Sequence, residues 1–220
     1  MYNNQTIGRS KESVLATNKV LRNTYMLLSM TLVFSGITAY ASMQAGISLG
    51  LIPTLVIYFG LLFLTHKTAN SGFGIVSVFL LTGFLGFTLG PMLNAYLTLP
   101  NGGELIMTAL GGTGVIFLGL SGYALTSRKD FSFLGGMLVV GILVAFVAGL
   151  AAYAFDFEAL SLGVSAMFIL LMSGLILFQT SQIIHGGETN YIRATVTLYV
   201  AIYNLFASLL HILGAFSGND

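Results

Sequence analysis

The sequence predicts an all-α integral membrane protein, a bundle of seven transmembrane helices in which the last helix is enclosed by the other six. Three observations predict this fold class: the composition, the lengths of the apolar stretches and the placement of the basic residues. Of the 220 residues, 56% are hydrophobic and 7% are charged, whereas soluble domains carry about 25% charged residues. A soluble fold of this size could not cover its surface with so few charges.

Composition also excludes several classes of function. The formal net charge is only +1, which argues against a nucleic-acid-binding surface, since such surfaces are strongly basic. The chain has no cysteine, so disulfides, thiol nucleophiles and thiolate metal sites are excluded. We predict no cofactor and no metal site, and the lipid bilayer is the first partner that the composition implies.

Seven apolar stretches are long enough to cross a membrane, because a transmembrane helix needs about 20 apolar residues. Membrane-spanning strands would instead alternate apolar and polar residues over about ten positions. These stretches are apolar on all sides, which favours helices. In chain order the predicted spans are Tyr25–Gln44, Leu49–Thr65, Phe73–Leu97, Leu105–Thr126, Phe133–Phe155, Ala159–Ile184 and Ala194–Phe216.

The charged residues alternate between the two sets of connections. Basic residues precede the first span and follow the second, fourth and sixth, whereas the remaining connections hold only acidic ones, Glu104, Asp156 and Glu158. Short basic loops stay in the cytoplasm, so we predict a cytoplasmic N-terminus and a C-terminus on the opposite side of the membrane. The basic residues are Arg9, Lys11, Lys19, Arg22, Lys67, Arg128, Lys129 and Arg193.

The chain divides into residues 1–22, predicted to be a flexible cytoplasmic tail, and residues 23–220, the seven-helix domain. The tail is polar, mixed in charge and weakly periodic, which is typical of a disordered segment. It is either an inert leader or a handle for another protein. In the second case Arg9, Lys11 and Glu12 are its candidate contact residues.

Small residues recur at helical spacing in three of the spans. Helices in lipid associate through close packing, and small residues let their backbones approach. We therefore predict packing grooves in the third, fourth and fifth spans. Their small residues are Gly86 and Gly90, then Gly111, Gly112, Gly114, Gly119 and Gly122, and finally Gly141, Ala145 and Gly149.

The seventh span carries a polar face, which places it inside the bundle. Spacings of three and four residues put the members of this face on one side of a helix, and Tyr199 and Tyr203 form an adjoining strip. One interpretation is interhelical hydrogen bonding, worth about 0.6 kcal/mol per pair; the other is the lining of a water or ion path. The face consists of Thr197, Ala201, Asn204, Ser208 and His211.

Two kinds of intramembrane chemistry can be weighed against the residues present. Ion-coupled transporters place a carboxylate or base at membrane depth, but only His211 fits, and Gln179 is polar without titrating. This argues against an ion-coupled pump and leaves a passive leak open.

The string Gly119–Gly122 resembles the serine motif of rhomboid proteases, with Ser121 as nucleophile and His185 as base, yet such a motif needs its structural context.

The connection before the seventh span is the most distinctive polar string. We predict that Gly186 ends the sixth helix in the left-handed conformation and that Thr189 or Asn190 caps the seventh. Three further residues, Glu188, Tyr191 and Arg193, have no such role. They are either solvated or contact a cytoplasmic partner.

Several strings together resemble the Bax inhibitor 1 family, and the string from Gly186 to Arg193 resembles its bacterial YccA branch in particular. The resemblance covers nearly the whole chain. The strings are Lys19–Tyr25, Gly83–Gly86, Gly90–Pro91, Arg128–Gly136, His185–Ala194, Leu198–Tyr199 and Asn204–Phe206. The family fold implied is a seven-helix bundle with an enclosed last helix.

The resemblance implies two alternative functions. Some family members are pH-sensitive calcium leaks gated by two aspartates, and the matching positions here are Gln179 and Ala201. Neither side chain titrates, so a leak would need an altered gate, with Asn204 and His211 as further pore candidates. The YccA branch instead resembles a substrate and modulator of the FtsH-type membrane protease.

The modulator function is the one we favour from the sequence. It implies a non-enzymatic protein of the bacterial inner membrane that is a slowly processed substrate of this ATP-dependent protease and so affects membrane protein quality control. The protease and its membrane-bound regulators are then the expected protein partners.

Overall fold

The computed structural model describes the backbone of residues 3–217 and the side chains of residues 19–217. This part of the chain forms seven α-helices and no strand. Each helix is long and apolar enough to cross a membrane, which confirms the predicted fold class. The helices are α1 Asn3–Ala45, α2 Leu51–Thr68, α3 Phe73–Leu97, α4 Gly102–Ser127, α5 Leu134–Ala154, α6 Glu158–Ile184 and α7 Tyr191–Ser217.

The helix boundaries lie within three residues of the predicted spans, except at the start of α1. The backbone of residues 3–22 is helical, whereas composition predicted an unstructured tail. The segment contains no proline, and a helix propagates readily from a span that is already formed. The division of the chain into a flexible tail and a transmembrane domain stays a prediction. The side chains of Arg9, Lys11 and Glu12 lie outside the described residues.

Two helix ends follow from local sequence. Gly186 has a φ of 77°, a left-handed conformation that glycine adopts without a Cβ penalty, and it ends α6 as predicted. The Asn190 side-chain oxygen accepts the backbone N–H groups of Ile192 (2.9 Å) and Arg193 (3.2 Å). Asn190 is therefore the cap of α7, one of the two residues predicted for that role.

The bundle has two ends that differ in charge. The connections α2–α3, α4–α5 and α6–α7 form the basic end, which carries Lys67, Arg128 and Lys129. The connections α1–α2, α3–α4 and α5–α6 form the acidic end, which carries Glu104 and Asp156. The structure thus separates the charges as the positive-inside pattern requires.

Helices α3 and α7 are the central elements. In an apolar 18-residue segment of each helix, half of the residues are buried in α3 and 44% in α7. The corresponding shares are 6% in α2 and 11% in α5. Helix α7 packs against α1, α3, α4 and α6, and the side chains of Tyr58 on α2 and Ile142 on α5 join the clusters that α7 forms. Its complete enclosure by six helices stays a prediction.

Close glycine packing occurs on α3 and α5. A Cβ at Gly86 would overlap the backbone oxygen of Ser35, and one at Gly90 would come within 2.6 Å of Ser42 Cβ. On α5, Gly141 lies against Leu171 of α6. These contacts confirm the predicted grooves on both helices, because only a missing side chain allows such approach.

The prediction of a packing groove is wrong for α4. A Cβ at Gly111, Gly114, Gly119 or Gly122 would meet no atom within 4 Å. Helix α4 packs through its other face, where Ala109 and Ala124 are fully buried. Gly112 is the exception in the predicted set, since a Cβ there would lie 3.6 Å from Leu209 Cδ1 of α7. The fold of the described residues put no neighbour beside the other four glycines.

Candidate functional site

The polar face of α7 is largely satisfied by its own helix. Thr197 Oγ1 donates to the Arg193 oxygen (3.1 Å), and Asn204 Nδ2 donates to the Val200 oxygen (2.8 Å). One member reaches another helix: His211 Nδ1 lies 2.8 Å from Ser165 Oγ of α6. Interhelical bonding, the first of the two interpretations, therefore holds for His211 and not for Thr197 or Asn204.

The adjoining tyrosine strip makes the longer-range connections. The Tyr199 hydroxyl donates to the Thr82 oxygen of α3 (3.1 Å) and is also hydrogen-bonded to Ser35 Oγ of α1. The Tyr203 hydroxyl and Thr88 Oγ1 of α3 are 2.8 Å apart. One side chain, Tyr199, thus ties three helices together at membrane depth. The sequence showed the strip but not its partners.

The two gate-equivalent positions lie in different surroundings. Ala201 is fully buried among Met172, Ile176 and Leu205, an apolar cluster. Gln179 is also buried, and its Nε2 has no hydrogen-bond partner among the described residues. An amide and a methyl group cannot share a proton as paired carboxylates do, so these positions cannot form a titrating gate.

Gln179 has a neighbour that sequence reasoning missed. Thr180 follows it in α6 and is fully buried, and its Oγ1 also lacks a partner among the described residues. An unsatisfied buried polar group costs about 1–3 kcal/mol. This part of α6 therefore holds two neighbouring buried polar groups without partners in the described part of the chain, as does the Thr24–Tyr25 pair of α1.

The structure gives a contact to each of the three residues around the α6–α7 connection that had no role in the sequence. Glu188 Oε1 accepts the backbone N–H of Asn190 (2.8 Å), and Arg193 Nη2 lies 3.6 Å from the same oxygen. Tyr191 packs on the core cluster around Leu198. Glu188 and Arg193 therefore brace the start of α7, and a partner contact at these residues stays a prediction.

Asn190 also holds the α2–α3 connection. Its Nδ2 donates to the Ala69 oxygen (2.9 Å) and to Asn70 Oδ1 (2.7 Å). With its capping oxygen, this one side chain makes four hydrogen bonds at the basic end. It joins two connections that are 120 residues apart in the chain.

A second contact at the basic end involves the end of α6. Ser181 Oγ accepts the backbone N–H of Phe131 (3.0 Å) and lies 3.3 Å from the Lys129 oxygen. Gln182 Nε2 donates to Ser132 Oγ (2.9 Å). Two neighbouring polar residues of α6 therefore hold the α4–α5 connection in place, although neither stood out in the sequence.

The carboxylate of Asp130, in the α4–α5 connection, is stabilised mainly by a residue close to it in the chain, Ser132. Ser132 donates its backbone N–H and its hydroxyl to Asp130 Oδ1. These hydrogen bonds stabilise the carboxylate and lower the pKa of Asp130, and nearby His185 adds a smaller effect in the same direction. Asp130 therefore stays ionised near neutral pH.

The serine and histidine of the rhomboid-like string are not paired. His185 directs Nδ1 toward the Ser181 oxygen (2.9 Å) and Nε2 toward the Arg128 oxygen (3.2 Å). Ser121 Oγ is buried and has no hydrogen-bond partner among the described residues. A nucleophile needs its base within hydrogen-bond reach, so this arrangement does not support serine hydrolysis.

Comparison with known proteins agrees with the sequence resemblance. The chain is 58% identical over 214 residues, 97% of each chain, to "Modulator of FtsH protease YccA" of Escherichia coli strain K12. "Inner membrane protein YccA" of a second Escherichia coli strain matches equally. An uncharacterised protein of Pseudomonas aeruginosa is 54% identical over 202 residues, 91% of each chain.

A family-level match covers most of the chain. Residues 17–218 match the family described as "Inhibitor of apoptosis-promoting Bax1" (Bax1-I), which includes every described transmembrane span. These names describe modulators and inhibitors rather than enzymes. The chain therefore belongs to the Bax inhibitor 1 family.

Proposed function

We propose that this protein binds and modulates an FtsH-type ATP-dependent membrane protease in a bacterial inner membrane. The observation that carries the proposal is the 58% identity, across 97% of both chains, to the modulator of FtsH protease of Escherichia coli. The matched 214 residues make up nearly all of the chain that forms the seven-helix bundle. The name of the second Escherichia coli relative supports the inner-membrane location.

In this proposal the basic end faces the cytoplasm. Short basic connections resist translocation, and Lys67, Arg128 and Arg193 all lie at this end. The N-terminal segment then lies in the cytoplasm and the C-terminus lies on the opposite side of the membrane. A protease with its ATPase in the cytoplasm would reach the N-terminal segment first.

The N-terminal segment is the proposed handle. Residues 3–22 form the N-terminal part of α1, so a pull on this segment acts on α1 before any other helix. The candidate contact residues are Arg9, Lys11 and Glu12 in this segment. Glu188, Tyr191 and Arg193 at the start of α7 are the second candidate surface, because they lie at the same end of the bundle.

The packing of α1 provides a reason for slow extraction. Asn94 Nδ2 of α3 donates to the Met43 oxygen (3.0 Å), and Thr195 Oγ1 of α7 lies 3.3 Å from the Thr24 oxygen. The Ser35–Tyr199 hydrogen bond lies between these two contacts. The membrane-spanning part of the pulled helix, Lys19–Ala45, is held near both ends and in its middle, so a protease that engages it stays occupied and spares other membrane proteins.

The direct test is affinity purification of the tagged protein from native membranes in mild detergent. We expect the ATP-dependent protease and its membrane-bound regulators to copurify, and the protease to be lost when residues 1–17 are deleted. The matched control carries Glu188→Gln and Arg193→Gln with the segment intact. If the protease fails to copurify only with the control variant, its contact lies at the start of α7 and not in the N-terminal segment. Absence of the protease from the wild-type sample would contradict the proposal.

Protein lifetime tests the handle separately. Deletion of residues 1–17 should lengthen the half-life of the protein in cells that contain the protease, because the motor loses its grip. In cells without the protease the deletion should have no effect. An unchanged half-life in protease-containing cells would contradict the handle mechanism while leaving binding itself open to the purification test.

A further inference from the structure

A cavity of about 390 Å³ lies between α2 and α5, within the range of about 300–1,000 Å³ that ligand pockets occupy. Its floor is formed by Val200, Tyr203 and Asn204 of α7. Helix α2 packs on α3 and α5 packs on α6. Across the cavity, α2 and α5 meet through an edge-to-face pair of rings, Phe59 and Phe146, with centroids 5.9 Å apart.

The residues that line the cavity are spread along the membrane-spanning helices. Thr54 is three residues from the start of α2 and Leu175 is 17 residues from the start of α6, and both helices start at the acidic end. A rise of about 1.5 Å per residue places these lining residues about 5 and about 25 Å from that end. A partner helix would need a width of about 10 Å over this length. Because the Phe59 and Phe146 rings meet across the cavity, it fits a single extended chain and not a partner helix.

The lining is graded along this length. The deeper part is mostly hydrocarbon, with Leu143, Phe168 and Met172, and no charged side chain of residues 19–217 lines the cavity. Nearer the acidic end, Thr54 and Tyr58 lie one helical turn apart on α2. Two polar side chains, Tyr203 and Asn204 of α7, also line the deeper part, but they are hydrogen-bonded to Thr88 and to the Val200 oxygen. Within the described residues, the polar groups of the lining without such partners are those on α2.

The two hydroxyl groups on α2 are free to bind a ligand. Elsewhere on the same helix, Thr65 and Thr68 donate back to the Leu61 and Leu64 oxygens at 2.8 Å. Neither Thr54 Oγ1 nor the Tyr58 hydroxyl has a hydrogen-bond partner among residues 19–217, where side chains are described. Each can donate to an oxygen of a bound molecule.

The mouth of the cavity faces lipid. Val56 beside it on α2 is 67% exposed and Val144 on α5 is 54% exposed, and both lie in membrane-spanning helices. The molecule that reaches this mouth is a membrane lipid. We infer that the α2–α5 cavity binds one acyl chain of a phospholipid, with the ester carbonyl of that chain accepting a hydrogen bond from Tyr58 or Thr54.

Lipid retention provides the first test. We would purify the protein in mild detergent with added phosphatidylethanolamine and count bound lipids by native mass spectrometry. Wild type should retain one lipid per chain. Leu175→Trp, which fills the cavity, should lose it, whereas Leu170→Trp, a lipid-facing residue of the same helix that is 75% exposed, should keep it.

A milder variant tests the polar end of the cavity. Tyr58→Phe removes only a hydroxyl that has no partner among the described residues, so the fold should be unaffected. Retention should fall roughly two- to tenfold, the effect of one hydrogen bond. Retention by Leu175→Trp equal to that of Leu170→Trp would overturn the proposal, and an unchanged Tyr58→Phe would overturn the placement of the ester carbonyl.

A fluorescence measurement keeps the proposal testable if Leu175→Trp does not fold. The chain contains no Trp, so each variant has a single tryptophan, which can be excited at a wavelength that tyrosine does not absorb. In bilayers of phosphatidylcholine brominated on its acyl chains, Phe168→Trp in the cavity should be quenched several times more strongly than Phe117→Trp, a partly buried position packed in the core. Equal quenching at the two positions would overturn the proposal.

Discussion

Helices α3 and α4 are both rich in glycine, yet their glycines have opposite surroundings. On α3, Gly86 and Gly90 let the α1 backbone approach so closely that a Cβ would collide with it. On α4, Gly111, Gly114 and Gly119 have no atom within 4 Å of where a Cβ would stand. Small residues permit close packing in lipid, but they do not supply the neighbour.

The same difference divides the bundle into a closely interlocked part and a loosely packed part. Helices α1, α3 and α7 are joined by glycine contacts and by the hydrogen bonds of Tyr199. On the other side, α2 and α5 leave a cavity between them. The helix that a protease would pull first belongs to the interlocked part, which connects the packing to the proposed function.

The largest expected effect comes from filling the α1–α3 contact. Gly86→Leu should destabilise the bundle by about 3 kcal/mol, because overpacking forces the backbones apart. Gly111→Leu on α4 should leave stability unchanged or slightly higher, since it adds a better helix former in open space. Thermal unfolding in detergent measures both. Equal losses would show that the two glycine faces do not differ.

A somewhat smaller effect is expected on α5, whose small residues also pack. Ala145 is fully buried whereas its neighbour Val144 is 54% exposed. Ala145→Leu should cost about 2 kcal/mol through overpacking and reduce the yield of folded protein. Val144→Leu is the matched control and should behave as wild type. An unchanged unfolding temperature for Ala145→Leu would contradict the packing of α5 on α6.

The smallest effect tests the hydrogen bonds of the interlocked part. Tyr199→Phe removes the bonds to Ser35 and Thr82 and should cost about 1 kcal/mol. In cells with the protease its half-life should shorten, because α1 is held less firmly. Tyr123→Phe on α4, where the tyrosine is 48% exposed, is the control. A half-life as long as that of wild type would show that the packing of α1 does not control the rate of extraction.

The parts of the site that could be predicted are those encoded locally. Helical spacing identified the polar face of α7 and the strip of Tyr199 and Tyr203, and the Gly186 and Asn190 helix ends follow from residue type. The hydrogen bonds of Ser181 to the α4–α5 connection could not be predicted, because the partners Lys129 and Phe131 lie about 50 residues away. A single serine near a helix end carries no signal for such a contact.

The sequence by itself determined the seven spans, the charge difference between the two ends and the absence of a carboxylate at Gln179 and Ala201. Each of these depends on residue type and on spacing within one helix, and the hydrocarbon thickness allows few alternatives. Only the tertiary structure decided which glycine face is occupied and where the α2–α5 cavity lies. Lipid gives apolar helices no hydrophobic preference for one neighbour over another, so shape and hydrogen bonds between distant residues made that choice.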